Sequence, residues 1–99
     1  MPCALWTPTA ETELEEIVFF IAVEGGRPVT AERIAREIHD RATSYANNPE
    51  LGHRHPDFPA NWRYFLHKRW LILYQPHEQG IEVLRVVDAT RDLPHVIDT

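Results

Sequence analysis

Arg63, Arg85 and Arg91, with Asp92 and His95 just behind the last of them, are the side chains of this sequence with the most chemistry to offer. A guanidinium is a rigid fork of N–H donors that suits phosphate and carboxylate alike. Two readings therefore stand. The arginines form a cationic patch that faces a target, or they pair with Asp88, Asp92 or Glu82 as ordinary strand-edge charges. A phosphodiester held by Arg63, Arg85 and Arg91 would still need an acid and a base at the same spot. His95 and Asp98 are the late candidates for those roles.

Histidines invite a second reading. His53-x-His55, Asp57 and His67 contain metal-ligand types, but no cysteine accompanies them, and close histidines in a proline-rich loop are commonly just solvated. No metal and no cofactor are expected. Trp62, Tyr64 and Trp70 could stack on bases, although strand aromatics in a small domain belong more often to its core. Glu11, Glu13, Glu15 and Glu16 read as a solvated helix face, with contact to a basic partner segment as the lesser alternative. Cys3 has no nearby base in sequence and is read as inert.

These groups must be positioned by one domain, since 99 residues fit a single core and no more. A hydrophobic share of 43% with 25% charged residues is that of a globular chain. One cysteine excludes an internal disulfide. No apolar run approaches a membrane span, and the start lacks the pattern of a secretory leader. A cytoplasmic protein with no membrane contact is expected. The net charge of −5 lies mainly in the first half, where eight acids face four arginines. Phosphate-binding proteins usually carry a basic face, so strong direct nucleic-acid binding is disfavoured.

Leu5-Trp6 ends a short strand. Thr7-Pro8 then reads as an N-cap followed by a proline at the first helical position. Ala10, Leu14, Ile17, Val18 and Ile21 share one face of a helix that Gly25-Gly26 stops. A second helix opens at Pro28-Val29-Thr30, with Thr30 as expected N-cap. It carries Ile34, Ile38, Ala42 and Tyr45 on its stripe and ends at Asn47-Asn48-Pro49. Residues 49–60 are loop. Strands follow at Trp62–Leu66, Trp70–Tyr74 and Ile81–Val87. The last would place Ile81, Val83, Arg85 and Val87 on one face and Glu82, Leu84 and Val86 on the other. The fold class is therefore α+β: a helical hairpin packed on a small, mostly antiparallel sheet, in the order β-α-α-β-β-β. Trp70–Tyr74 is apolar on both faces, whereas a hairpin covers only one. The second face is expected to be covered by the C-terminal tail or by another chain.

The run from Trp62 to Tyr74, then Gly80-Ile81-Glu82-Val83-Leu84-Arg85-Val86-Val87-Asp88-Ala89-Thr90-Arg91-Asp92, resembles the C-terminal half of toxins of the ParE/RelE superfamily. Trp6-Thr7-Pro8 leading to Leu14-Glu15-Glu16-Ile17 is similar to that family's first strand and helix, and Asn48-Pro49-Glu50-Leu51-Gly52 to its inter-element loop. The resemblance implies a toxin of a type II toxin–antitoxin (plasmid stabilisation) module. Its cognate antitoxin, of the ParD kind or similar, would wrap the hairpin and the sheet. Leu14, Val18, Ile38, Tyr45, Trp70, Ile72 and Tyr74 are the residues expected to meet it.

Two activities occur on this fold. RelE-type members cut messenger RNA on the ribosome, using cationic residues along the sheet and often a C-terminal Tyr or His. ParE-type members bind and poison DNA gyrase. Here Leu71 stands where the nucleases often carry arginine, and no Tyr follows Arg91. The ParE-like branch is favoured, with Arg63, Arg85, Arg91 and Asp92 as target-binding residues. The nuclease alternative would use Arg63, Arg85, Arg91 and His95.

Overall fold

In the computed structural model, which describes residues 1–90, the chain runs β1 (Cys3–Trp6), α1 (Pro8–Phe19), a wide π-turn (Phe20–Glu24), α2 (Pro28–Asn47), a 3₁₀ turn (Pro49–Leu51), β2 (Arg63–His67), β3 (Trp70–His77) and β4 (Gly80–Asp88). The expected order is observed, as an α+β arrangement of two helices and a four-stranded mixed sheet. The strand order is β1-β4-β3-β2, with β1 parallel to β4 and the other pairs antiparallel.

α1 begins where its N-cap predicts: the Thr7 hydroxyl accepts the Ala10 N–H at 3.1 Å, and Pro8 fills the first turn. The helix widens to a π-turn before Gly25-Gly26, with the Arg27 N–H reaching the Ile21 carbonyl. Pro28 occupies the first helical position of α2, so Thr30 lies inside the first turn and is not the cap. Ala31, Ile34, Ile38, Ala42 and Ala46 form its buried stripe.

Between helices and sheet lies the main core, where Leu14, Ile34, Ile38, Phe65, Ile72, Tyr74, Ile81, Val83 and Val86 meet. Tyr45 stacks on Phe65 at 4.5 Å between ring centres. The register of β4 against β3 slips between Leu73, opposite Arg85, and Tyr74, opposite Val83, which leaves Leu84 as an extra residue. The bulge breaks the strict alternation expected for this strand. Val86 joins Ile81 and Val83 in the main core, and Val87 packs on the far side.

That far face carries a second small core of Leu71, Leu73, Val87 and Phe58, flanked by Trp62, Tyr64, Leu84 and Ala89. Phe58 and Trp62 supply cover for this face that the sequence reading did not assign to them, while the C-terminal tail expected there lies outside the described residues. The loop between Gly52 and Trp62 folds back and lays Phe58 and Trp62 on the sheet, taking apolar surface of this face out of water.

Candidate functional site

β1 pairs with β4 only from Gly80 to Val83. Beyond that point the chain of β1 turns into α1, and the C-terminal half of β4 has no neighbouring strand on that side among the described residues. Local groups close part of this edge: the Thr7 hydroxyl donates to the Leu84 carbonyl at 3.1 Å. Glu13, on the face of α1 turned to the sheet, accepts the Val86 N–H at 2.9 Å through Oε1. The same carboxylate takes the Arg85 fork, with Nε at 3.0 Å from both oxygens and Nη2 at 2.8 Å from Oε2. These bonds hold the Arg85 guanidinium above its usual pKa against the opposing effect of burial.

Alongside runs a groove of about 720 Å³ between the end of α1, the start of α2 and the free end of β4. Ile17, Phe20, Ile21, Ile34, Trp70 and Val86 give it apolar walls; Glu13, Glu16, Arg27, Arg69, Arg85 and Asp88 supply charge. At its far end Arg69 pairs with Asp88. The Thr90 hydroxyl, the Thr90 N–H and Arg69 together hold the Asp88 carboxyl down at about 2.

The expected site residues are distributed unevenly. Arg85 and Trp70 line the groove. Arg63 does not: its Nη1 donates to the carbonyls of Glu50 and Gly52, both at 3.0 Å, and ties the 3₁₀ turn to the opposite side of the sheet. Among the described residues, the acids that the sequence offered as partners for these arginines are therefore not the ones they use. Arg91, Asp92, His95 and Asp98 lie outside the described residues. Four side chains expected to meet a partner, Leu14, Ile38, Ile72 and Tyr74, are corrected here: each is at most 6% exposed within the chain's own core, so a partner cannot touch it without opening that core. Val18, Tyr45 and Trp70 are half-buried and keep some surface.

His53, His55 and His67 are each engaged within the fold. His55 accepts the Asp57 N–H at 3.1 Å and stacks on Phe58, His53 packs against Tyr64, and His67 sits between Glu37, 3.0 Å from its Nε2, and Arg41. Leu71 is fully buried under the loop.

Sequence reasoning missed Glu13 as a specific ligand, having placed it with its neighbours on a solvated face. A signal was available. Glu13, Ile17, Phe20 and Ile21 stand at helical offsets of four, seven and eight, a single face on which one acid leads an apolar row.

The comparisons with known proteins agree with this architecture. The family model for the ParE toxin of the type II toxin–antitoxin system parDE matches residues 4–93. The chain belongs to the ParE toxin family. A solved structure from the chromosomal ParDE toxin–antitoxin system of P. aeruginosa superposes with a TM-score of 0.69 at 19% identity, covering 89% of this chain and 96% of that one. At that identity the likeness concerns the fold. No curated protein sequence matches the chain. No helix among the described residues is long and apolar enough to cross a membrane.

Proposed function

We propose that this ParE toxin acts by binding and not by turnover, with DNA gyrase as its target, and that a cognate antitoxin neutralises it by laying a segment in the groove beside β4. The observation that carries the binding mode is the separate engagement of Arg63 and Arg85. One is held by backbone carbonyls of the 3₁₀ turn, the other by Glu13 of α1. Phosphodiester cleavage needs charge stabilisation converging on one point, and these two forks converge on none. Leu71, at the position where the nucleases of the superfamily often carry arginine, is covered by Phe58. The antitoxin reading is supported by family membership together with an open, apolar-walled groove.

Induced expression of the chain alone in bacteria, scored for growth and for plasmid supercoiling, tests this. Arrest with loss of negative supercoiling, relieved by co-expression of the antitoxin, is the expected result. Arrest with normal supercoiling and cut messenger RNA would transfer the assignment to a ribosome-dependent nuclease. Unimpaired growth would sink both.

A further inference from the structure

The free end of β4 is finished in an unusual way. A backbone N–H on a strand edge is ordinarily served by a neighbouring strand or by water. At Val86 a side chain does it, and that side chain also fills the fork of the next residue back. Three donors, Arg85 Nε, Arg85 Nη2 and Val86 N, thus converge on one carboxylate at 2.8–3.0 Å. Bidentate pairing of this kind is directional and charge-assisted, and it accepts any carboxylate brought to the same place.

We propose that this end of β4, which pairs with no strand among the described residues, docks an extended peptide segment bearing a carboxylate, and that Glu13 stands in for that carboxylate until the segment binds. An added strand would divide Glu13's two tasks. Its backbone carbonyl would take the Val86 N–H, and an Asp or Glu side chain would take the Arg85 fork. Its apolar side chains would meet Ile17, Ile21 and Trp70, with Phe20, now 61% exposed, folding over them.

The Arg85 fork, which takes a carboxylate bidentately, selects a carboxylate-bearing segment over a basic one. Once Glu13 withdraws, Arg85 is left unpaired beside Arg27, which lines the same groove and has no ion-pair partner among the described residues. Asp88 is already neutralised by Arg69. Glu16 and the withdrawn Glu13 are then the acids of the lining without an ion-pair partner among the described residues, against Arg27 and Arg85, so the lining is balanced in charge and the preference rests on the Arg85 fork. The inference rests on the reading that the groove takes a partner segment. It does not depend on what the toxin's target is.

The test uses the full chain and two capped peptides of about six residues, alternating valine and serine around a central residue that is Glu in one and Gln in the other. Binding is followed by ¹⁵N NMR at the Val86 amide and Arg85 Nε. The Glu peptide should shift both resonances and bind about tenfold or more tightly than the Gln peptide. The decisive variant is Glu13→Gln, which removes the internal competitor and should tighten binding of the Glu peptide by a similar factor. A Glu13 with a purely structural role predicts weaker or unchanged binding.

Equal affinity for both peptides would overturn the proposal while leaving groove docking intact. Weaker or unchanged binding of the Glu peptide to Glu13→Gln would overturn it as well. Should Glu13→Gln fail to fold, Arg85→Met gives the second arm: it should abolish the preference for Glu over Gln, and a retained preference overturns the assignment. Failure of either peptide to move any resonance of Ile17, Phe20, Trp70 or Val86 would remove the docking reading altogether.

Discussion

At the β2 side of the sheet, closure combines a backbone pair with two side chains that bond the backbone of the preceding turn. His53 and Tyr64 exchange N–H···O bonds at 2.8 and 2.9 Å, so the loop adds a fragment of strand to the β2 edge. Arg63 then pins two carbonyls of the preceding turn, and the buried Tyr74 hydroxyl donates to the Pro49 carbonyl at 2.6 Å while accepting the Gly52 N–H at 3.0 Å. At the β4 side, past Val83, closure among the described residues is made by two side chains, Thr7 at the α1 N-cap and Glu13 in the middle of the helix. A backbone tie is replaced only by unfolding the loop. A carboxylate on a helix is replaced by any competing carboxylate. The contrast assigns scaffolding to the first edge and exchange to the second.

The largest expected effect comes from breaking the scaffolding edge at its buried centre. Burial pushes the Tyr74 phenol above its ordinary pKa, so it remains an O–H donor at neutral pH. Tyr74→Phe keeps the ring in the core but leaves the Gly52 N–H and the Pro49 carbonyl without their partner. Stranding buried polar groups in this way costs about 1–3 kcal/mol. Urea unfolding should show that loss, and native-state hydrogen exchange should show the Gly52 amide released. A Tyr74→Phe chain as stable as the parent would mean that the loop is held by Phe58 packing alone.

How far the sequence made this contrast visible can be argued element by element. Helix ends and core stripes were legible because Thr7-Pro8, Gly25-Gly26 and the apolar rows act locally, through capping and periodicity. The cover of the far face was not. Phe58 and Trp62 sit in a loop whose path is set by long-range bonds from Arg63, Tyr64 and Tyr74, and no local pattern announces them. The faces of β4 were misread for a related reason. A single extra residue at Leu84 resets the alternation beyond it, and its place is fixed by pairing with β3. At the candidate site, Arg85 and Trp70, which residue type singled out, both line the groove. Glu13, the partner of Arg85, lies 72 positions away from it, a separation across which one sequence carries no pairing signal.

The two arginines sharpen the comparison at a smaller magnitude. Arg63→Met removes donors from carbonyls of a turn whose Gly52 is buried, and should cost about 1–2 kcal/mol. Arg85→Met leaves Glu13 still able to accept the Val86 N–H. It removes an ion pair whose partners remain about a fifth to a quarter exposed, so the loss should be about 1 kcal/mol or less. Urea midpoints of the two variants, measured side by side, provide the check. A larger loss for Arg85 would make the β4 closure structural and would undo the distinction between the edges.

The smallest effect concerns the end of β4, where Asp88 closes the strand on itself. Its carboxyl is held at about 2, chiefly by the Thr90 hydroxyl, then by the Thr90 N–H and Arg69. In the unfolded chain the same group titrates near its ordinary value, about 3.9. A folded pKa below the unfolded one means that the charged form favours folding. This contribution is complete above the unfolded value and is lost as pH falls through the folded one. The wild type should therefore lead Asp88→Asn in Tm by a constant margin at pH 5 and above, with the margin shrinking between about pH 4 and pH 2. Because neutral Thr90 donors come ahead of Arg69, raising the salt to several times the physiological level should leave most of the margin in place, whereas a margin built on the ion pair would be screened. A salt-sensitive margin would instead make Arg69 the principal partner, and Arg69 would then join Arg85 among the groove arginines whose counter-charge is exchangeable.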